Sequence, residues 1–142
     1  MRGTAGFTLI EALIVVALIG VMAAIAAPAV TAGIDRYTIL SAGQQVVSTI
    51  RTARVQAVAT NMILVVRFDY PDTGQYQIVD ASNAAIGGVK TLASGISFSD
   101  GTTDVQFTTS GRANATTVVV TNGTADYDRT ITVSISGQVK LE

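Results

Sequence analysis

The sequence contains no cysteine, no histidine and no tryptophan, and only two of its 142 residues are proline. Without cysteine there is neither a disulfide nor a thiolate metal site. With no histidine, no cysteine and no glycine-rich phosphate loop, nothing points to an enzyme, and neither a cofactor nor a metal is expected. Asp69 and Asp72 sit in an exposed turn, where nothing perturbs a carboxylate. Asp100 and Asp104 flank a glycine turn in "DGTTD", which has the oxygens calcium prefers but not the ligand density of a cation loop, so it reads as a hairpin turn. "NAT" (114–116) and "NGT" (122–124) read as turns as well. Charge is scarce: 13% of residues are charged against 49% apolar, low for a soluble domain. The net charge of −1 becomes −2 if a leader containing Arg2 is removed (8 basic against 10 acidic), so the chain has no general pull on nucleic acid or anionic lipid.

What charge there is lies unevenly. From Phe7 to Ile34 the only ionisable side chain is Glu11, and the rest cluster from Asp35 onward. The length allows one compact domain plus an extra element. Met1 to Gly6 reads as a polar leader, and Ala12 to Val30 is an uncharged run long enough to cross a bilayer core of about 30 Å. Arg2 ahead of it would keep the leader cytoplasmic and export the head. Gly20 and Pro28 are expected to loosen the helix. Beyond Pro28 the pattern turns amphipathic, with Ile39, Val46, Ile50, Ala53 and Ala57 on one stripe and Gln44, Gln45, Arg51 and Arg54 largely between them. A helix from Phe7 to about Asn61 is expected, its first half an anchor and its second half packed on a sheet.

After Asn61 the period changes. "MILVVRFDY" (62–70), the turn "PDTG" (71–74) and "QYQIVD" (75–80) predict a hairpin. "VKTLASGISFS" (89–99), "VQFTTSG" (105–111), "TTVVVTN" (116–122) and "RTITVSISGQVKLE" (129–142) predict further strands. The fold class is α+β: a long N-terminal helix on an antiparallel sheet head. The divisions are 1–6 as leader, 7–30 as transmembrane helix, and 31–142 as exported head.

Glu11 is the anomaly. A charged group at the centre of a spanning helix costs about 2.5–3.5 kcal/mol, less near its end, and inside an assembly it still needs a partner. No cation lies between Phe7 and Asp35. Cleavage after Gly6 would create an α-amine on Phe7, one turn away or on a neighbouring copy. The second pairing would fix the register between subunits. A competing reading takes "AIA" at 24–26 as a signal-peptidase site, which would release a soluble head after Ala26.

The string "GFTLIEALIVVALIG" (6–20) resembles the class III signal of type IV pilins and type II secretion pseudopilins. That resemblance implies a prepilin peptidase that cuts between Gly6 and Phe7 and methylates Phe7. It further implies that Glu11 pairs with the amine of an adjacent subunit, with Gly20 and Pro28 at family positions. The implied partners are other pilin subunits and an inner-membrane assembly platform. The head resembles the GspH/FimT group of minor pilins, through Ala53, Arg54 and Ala57, through Phe107, Gly111 and Arg112, and through a closing strand in which Gln138 replaces a common basic residue. The group implies a low-copy subunit near the filament tip or in initiation. A major pilin shares the same signal and stays open. So does capture of DNA, which some members perform through Gly-Arg-x-Arg. Here Arg112 remains, Asn114 replaces the second arginine, and Arg129 and Lys140 are the other candidate cations. Asp126 and Asp128 dilute any patch around Arg129.

Overall fold

The structure, a computed structural model, describes residues 7–142 and, at Pro28, the backbone alone. The leader 1–6, with Arg2 and Gly6, lies outside the described residues. The chain divides into two compact units at Asp35 and Arg36, and helix α1 (Leu9–Thr60) contributes to both. Gly20 and Pro28 do not end this helix, which continues through both positions. One missing backbone donor is a local loss, and long helical runs flank it on either side. The large apolar side chains of the first unit, from Leu9 to Ile34, are exposed. α1 ends where Asn61 turns left-handed (φ 52°). There Met62 N–H donates to the Ala57 carbonyl at 3.1 Å and Asn61 N–H to that of Val58 at 3.4 Å, which satisfies two of the last carbonyls.

In the second unit the predicted stripe is the buried one: Ile39, Val46, Ile50, Ala53 and Ala57 are all fully inaccessible, while Gln44, Gln45 and Arg51 are exposed. Gly43 sits on the same face with Leu141 Cδ1 3.2 Å and Arg129 Cβ 3.4 Å from where a Cβ would stand. Its missing side chain lets the strands approach the helix.

The head is built of antiparallel strands, as expected, and they form two four-stranded sheets. The first has the order β3 (Lys90–Thr91), β2 (Gln75–Asp80), β1 (Leu64–Phe68), β5 (Val105–Phe107). The second has the order β4 (Ser97–Phe98), β6 (Thr116–Thr121), β7 (Arg129–Val133), β8 (Val139–Leu141). The predicted hairpin is β1–β2, with Val66 opposite Ile78 and Phe68 opposite Tyr76. Two segments read as single strands are broken. Residues 89–99 turn at Gly95 (φ 80°), which sends β3 and β4 into different sheets, and 129–142 fold back at Gly137 (φ 76°) as the hairpin β7–β8. A short 3-10 helix, Ala125–Tyr127, joins β6 to β7.

The inward alternation of both sheets meets the helix stripe in one core. At its centre Phe68, Tyr76 and Phe98 pack together, with ring centroids 4.9 Å apart for Phe68–Phe98 and 5.8 Å for Tyr76–Phe98. Short polar side chains hold the turns. Asp80 accepts from Ser82 N–H, Ser82 Oγ and Ala84 N–H at 2.7–2.8 Å, and these bonds, the Ser82 hydroxyl first, hold its carboxyl below the usual range. Asp69 accepts from Gly74 N–H at 2.7 Å. Asp104 accepts from Phe68 N–H at 3.1 Å and pairs with Arg67 at 3.3 Å. The work of these three carboxylates is architectural.

Candidate functional site

Glu11 is the third residue of α1 and closes a reciprocal cap with Thr8. Thr8 N–H and Thr8 Oγ1 each donate to Glu11 Oε2 at 2.8 Å, and Glu11 N–H donates to Thr8 Oγ1 at 3.3 Å. The spacing Thr-x-x-Glu at a helix start is the sequence signature of this arrangement. The membrane cost of a charge does not reveal it, although both residues stand in plain view in "FTLIE". A negative charge in the first turn also meets the positive end of the helix dipole. Phe7, Leu9, Ile10, Leu13 and Ile14 are all more than half exposed around this start. The stretch is long and apolar enough to cross a membrane, and none of it is buried. Gly20 has nothing near it among the described residues.

On the head, the candidate cations separate. Arg112 is exposed in the loop after β5, where its backbone carbonyl accepts from Thr108 N–H at 2.9 Å. Arg129 is half-buried, with Cβ and Cγ against Gly43 and Nη1 donating to the Asp128 carbonyl at 3.4 Å. Lys140 is exposed and paired with Glu142 at 2.6 Å, which raises the lysine pKa and lowers that of the carboxylate. The β7–β8 register sets Lys140 opposite Thr132, so it stands on the other face of that ladder from Arg129. Asn114, in the place of the second arginine of Gly-Arg-x-Arg, accepts from Gln106 N–H at 2.7 Å and donates to the Asp104 carbonyl at 2.9 Å. It holds two stretches of chain together instead of presenting charge.

Arg51 and Arg54, read from sequence as polar positions beside a stripe and, for Arg54, as part of the family resemblance, reach across the head. Arg54 Nε donates to the Gly111 carbonyl and Arg54 Nη2 to the Ser136 carbonyl, each at 3.1 Å, while Arg51 Nη2 donates to the Val139 carbonyl at 3.2 Å. The end of α1 is thereby tied to two loops far away in sequence. Arg51, Arg54 and Lys140 line one groove of about 580 Å³, and Arg51 and Val55 also line a second of about 620 Å³. Val55 and Val58 are 67% and 51% exposed beside them, which makes this face of the head both apolar and cationic. Among the described residues no cluster of three or more acidic side chains is arranged to hold a metal ion.

The fork of Arg54 reaches two carbonyls at once from separate nitrogens, a fixed geometry that the point-like ammonium of lysine does not reproduce. Arg54→Lys is therefore expected to lower stability by roughly 2 kcal/mol, the scale of charge-assisted hydrogen bonds. The shift should show as an earlier denaturant midpoint with an unchanged slope.

Residues 42–137 match the family described as type II transport protein GspH, and residues 1–27 match the prokaryotic N-terminal methylation motif. Over 59 residues the chain is 42% identical to type II secretion system protein H of Xanthomonas campestris pv. campestris, a stretch that covers 42% of this chain and 35% of that protein. The match thus spans about a third of that relative's length. The type IV minor pilin FimU of Pseudomonas aeruginosa superposes with a TM-score of 0.63 at 20% identity, over 76% of this chain and 90% of that one. The minor pseudopilin EpsH from the type 2 secretion system of Vibrio cholerae does so with a TM-score of 0.58 at 18% identity, over 74% and 96%. At such identities these two likenesses establish the fold.

Proposed function

The chain belongs to the type II transport protein GspH family, and from that premise we propose that it is a low-copy structural subunit of a type IV pilus or type II secretion pseudopilus, matured by a prepilin peptidase. The peptidase cuts between Gly6 and Phe7 and methylates Phe7. Residues 7–30 hold the processed chain in the bacterial inner membrane, N-terminus cytoplasmic and head 31–142 exported, until an assembly platform draws it into the filament. Its place there is at initiation or at the tip, as the GspH/FimT resemblance implies.

One observation carries this reading: an apolar helix whose large side chains are exposed from Leu9 to Ile34 yet which opens on a capped carboxylate. Lipid covers such a helix before assembly and neighbouring helices cover it afterwards. A cap alone needs no charge, since glutamine serves the same position, whereas a helix that must register against its neighbours has a use for one.

The intact mass of the protein from its native membrane tests the processing. A chain starting at Phe7 and heavier by one methyl group is the expected result. A chain starting at Ala27 would mean cleavage after Ala26 and a secreted β-rich domain, and the assembly reading would fall with it.

A further inference from the structure

Where α1 passes the free edge of the first sheet, a cavity of about 170 Å³ lies between Thr49, Gln56, Tyr76, Gly87, Gly88 and Lys90. That is far more than the ~15 Å³ a single water needs. Two of its polar groups lack a full hydrogen bond. Tyr76 is fully buried, yet its hydroxyl has no hydrogen-bond partner among the described residues, and neither has Gln56 Oε1. Thr49, itself buried, approaches the Tyr76 hydroxyl without closing a full hydrogen bond to it. Its hydroxyl donates to the Gln45 carbonyl at 3.0 Å and already accepts from Lys90 Nζ at 2.9 Å. Lys90 reaches in from the edge strand β3, and no carboxylate within salt-bridge distance answers its charge among the described residues. Burial pushes the Tyr76 phenol above the usual tyrosine value, so at neutral pH it is a donor. Buried polar groups are ordinarily paired, and here two unpaired ones, a donor on Tyr76 and an acceptor on Gln56, face a cavity whose rim carries the exposed Lys90 ammonium.

We propose that this cavity binds a small carboxylate with an N–H group beside it, the chemistry shared by a free amino acid and the C-terminal residue of a peptide. Lys90 Nζ and the Tyr76 hydroxyl donate to the carboxylate oxygens, and Gln56 Oε1 accepts from the ligand N–H. The glycines at 87 and 88 leave room for backbone to approach. Binding of this kind goes beyond filament assembly and does not depend on it.

The test is a titration of the full isotope-labelled chain in detergent micelles, monitored by amide NMR shifts. The probes are glycine for the free amino acid, N-acetylglycine for a peptide C-terminus, and neutral N-acetylglycinamide as control. At least one acid should shift Gly87, Gly88 and Lys90 with saturation, while the neutral amide leaves them still. Saturation by N-acetylglycine alone assigns a peptide C-terminus, and by glycine alone a free amino acid. Lys90→Gln, at an exposed position, and Tyr76→Phe, which keeps the aromatic ring, should each weaken binding at least tenfold. Shifts that never saturate, that the neutral amide reproduces, or that survive Lys90→Gln would overturn the proposal.

Discussion

Gly137→Ala should lower the melting temperature of the head by roughly 15 °C, the shift that about 3 kcal/mol produces in a domain of this size. Two costs add. Gly137 has φ 76°, where an alanine is strained by about 1–2 kcal/mol. A Cβ there would also run into the Gly111 carbonyl oxygen, and Arg54 Nε would lie 2.8 Å from it. The carbonyl cannot step aside freely, because it accepts the Arg54 hydrogen bond. Either the β7–β8 turn lifts away, or Arg54 loses its hold on the loop after β5. Gly123→Ala is the matched control: its φ is 81°, yet nothing stands within 4 Å. It should show the conformational cost alone, about 1–2 kcal/mol. A thermal melt of both variants, read by circular dichroism on the full chain in micelles, separates strain from collision. Equal shifts would mean that the packing of Gly137 on Gly111 contributes nothing.

That contrast marks how far the sequence could be read. The stripe from Ile39 to Ala57 and the hairpin over 62–80 were legible because their periods, about 3.6 and 2, are written in neighbouring residues. Phe107 and Gly111 were legible only through resemblance, and the structure supplies their physical reasons: a buried ring and a left-handed turn that packs on the helix end. Residues 129–142 read as one strand because "SISGQ" keeps its alternation through the turn, and only Gly137 hints at the reversal. The division into two sheets left no local trace. Neither did the Arg54 hold on Gly111 and Ser136, which spans separations of 57 and 82 residues. The cavity beside Tyr76 was equally hidden, since Thr49, Tyr76 and Lys90 belong to three separate elements. The Thr8–Glu11 cap was different. It was fully written, in four consecutive residues, and the membrane cost of a charge drew attention elsewhere.

Filament incorporation should fall by about tenfold or more in Glu11→Gln while the helix start stays intact, because an uncompensated amine at a packed interface is costly. The choice of glutamine matters. Glutamine also serves at the third position of a capping box, so it keeps the bond from Thr8 N–H and removes only the charge. Thr8→Ala is its complement. It strips the hydroxyl that bonds both Glu11 Oε2 and Glu11 N–H, at about 1 kcal/mol of helix stability, and leaves the carboxylate for a partner's amine. If Glu11 works between subunits, processing at Gly6 proceeds in both variants and only Glu11→Gln fails to enter filaments. If Glu11 is merely a cap, the order reverses: Thr8→Ala suffers and Glu11→Gln assembles. Immunoblots of sheared filaments against membrane fractions read the ratio directly. The cap and the pair need not compete within one molecule, since a cap that fixes the carboxylate at the first turn also presents it at a fixed height along the helix. If Glu11 pairs between subunits, a charge held so is a better register mark than one on a frayed end, and threonine three residues ahead of it then serves both the cap and the pair.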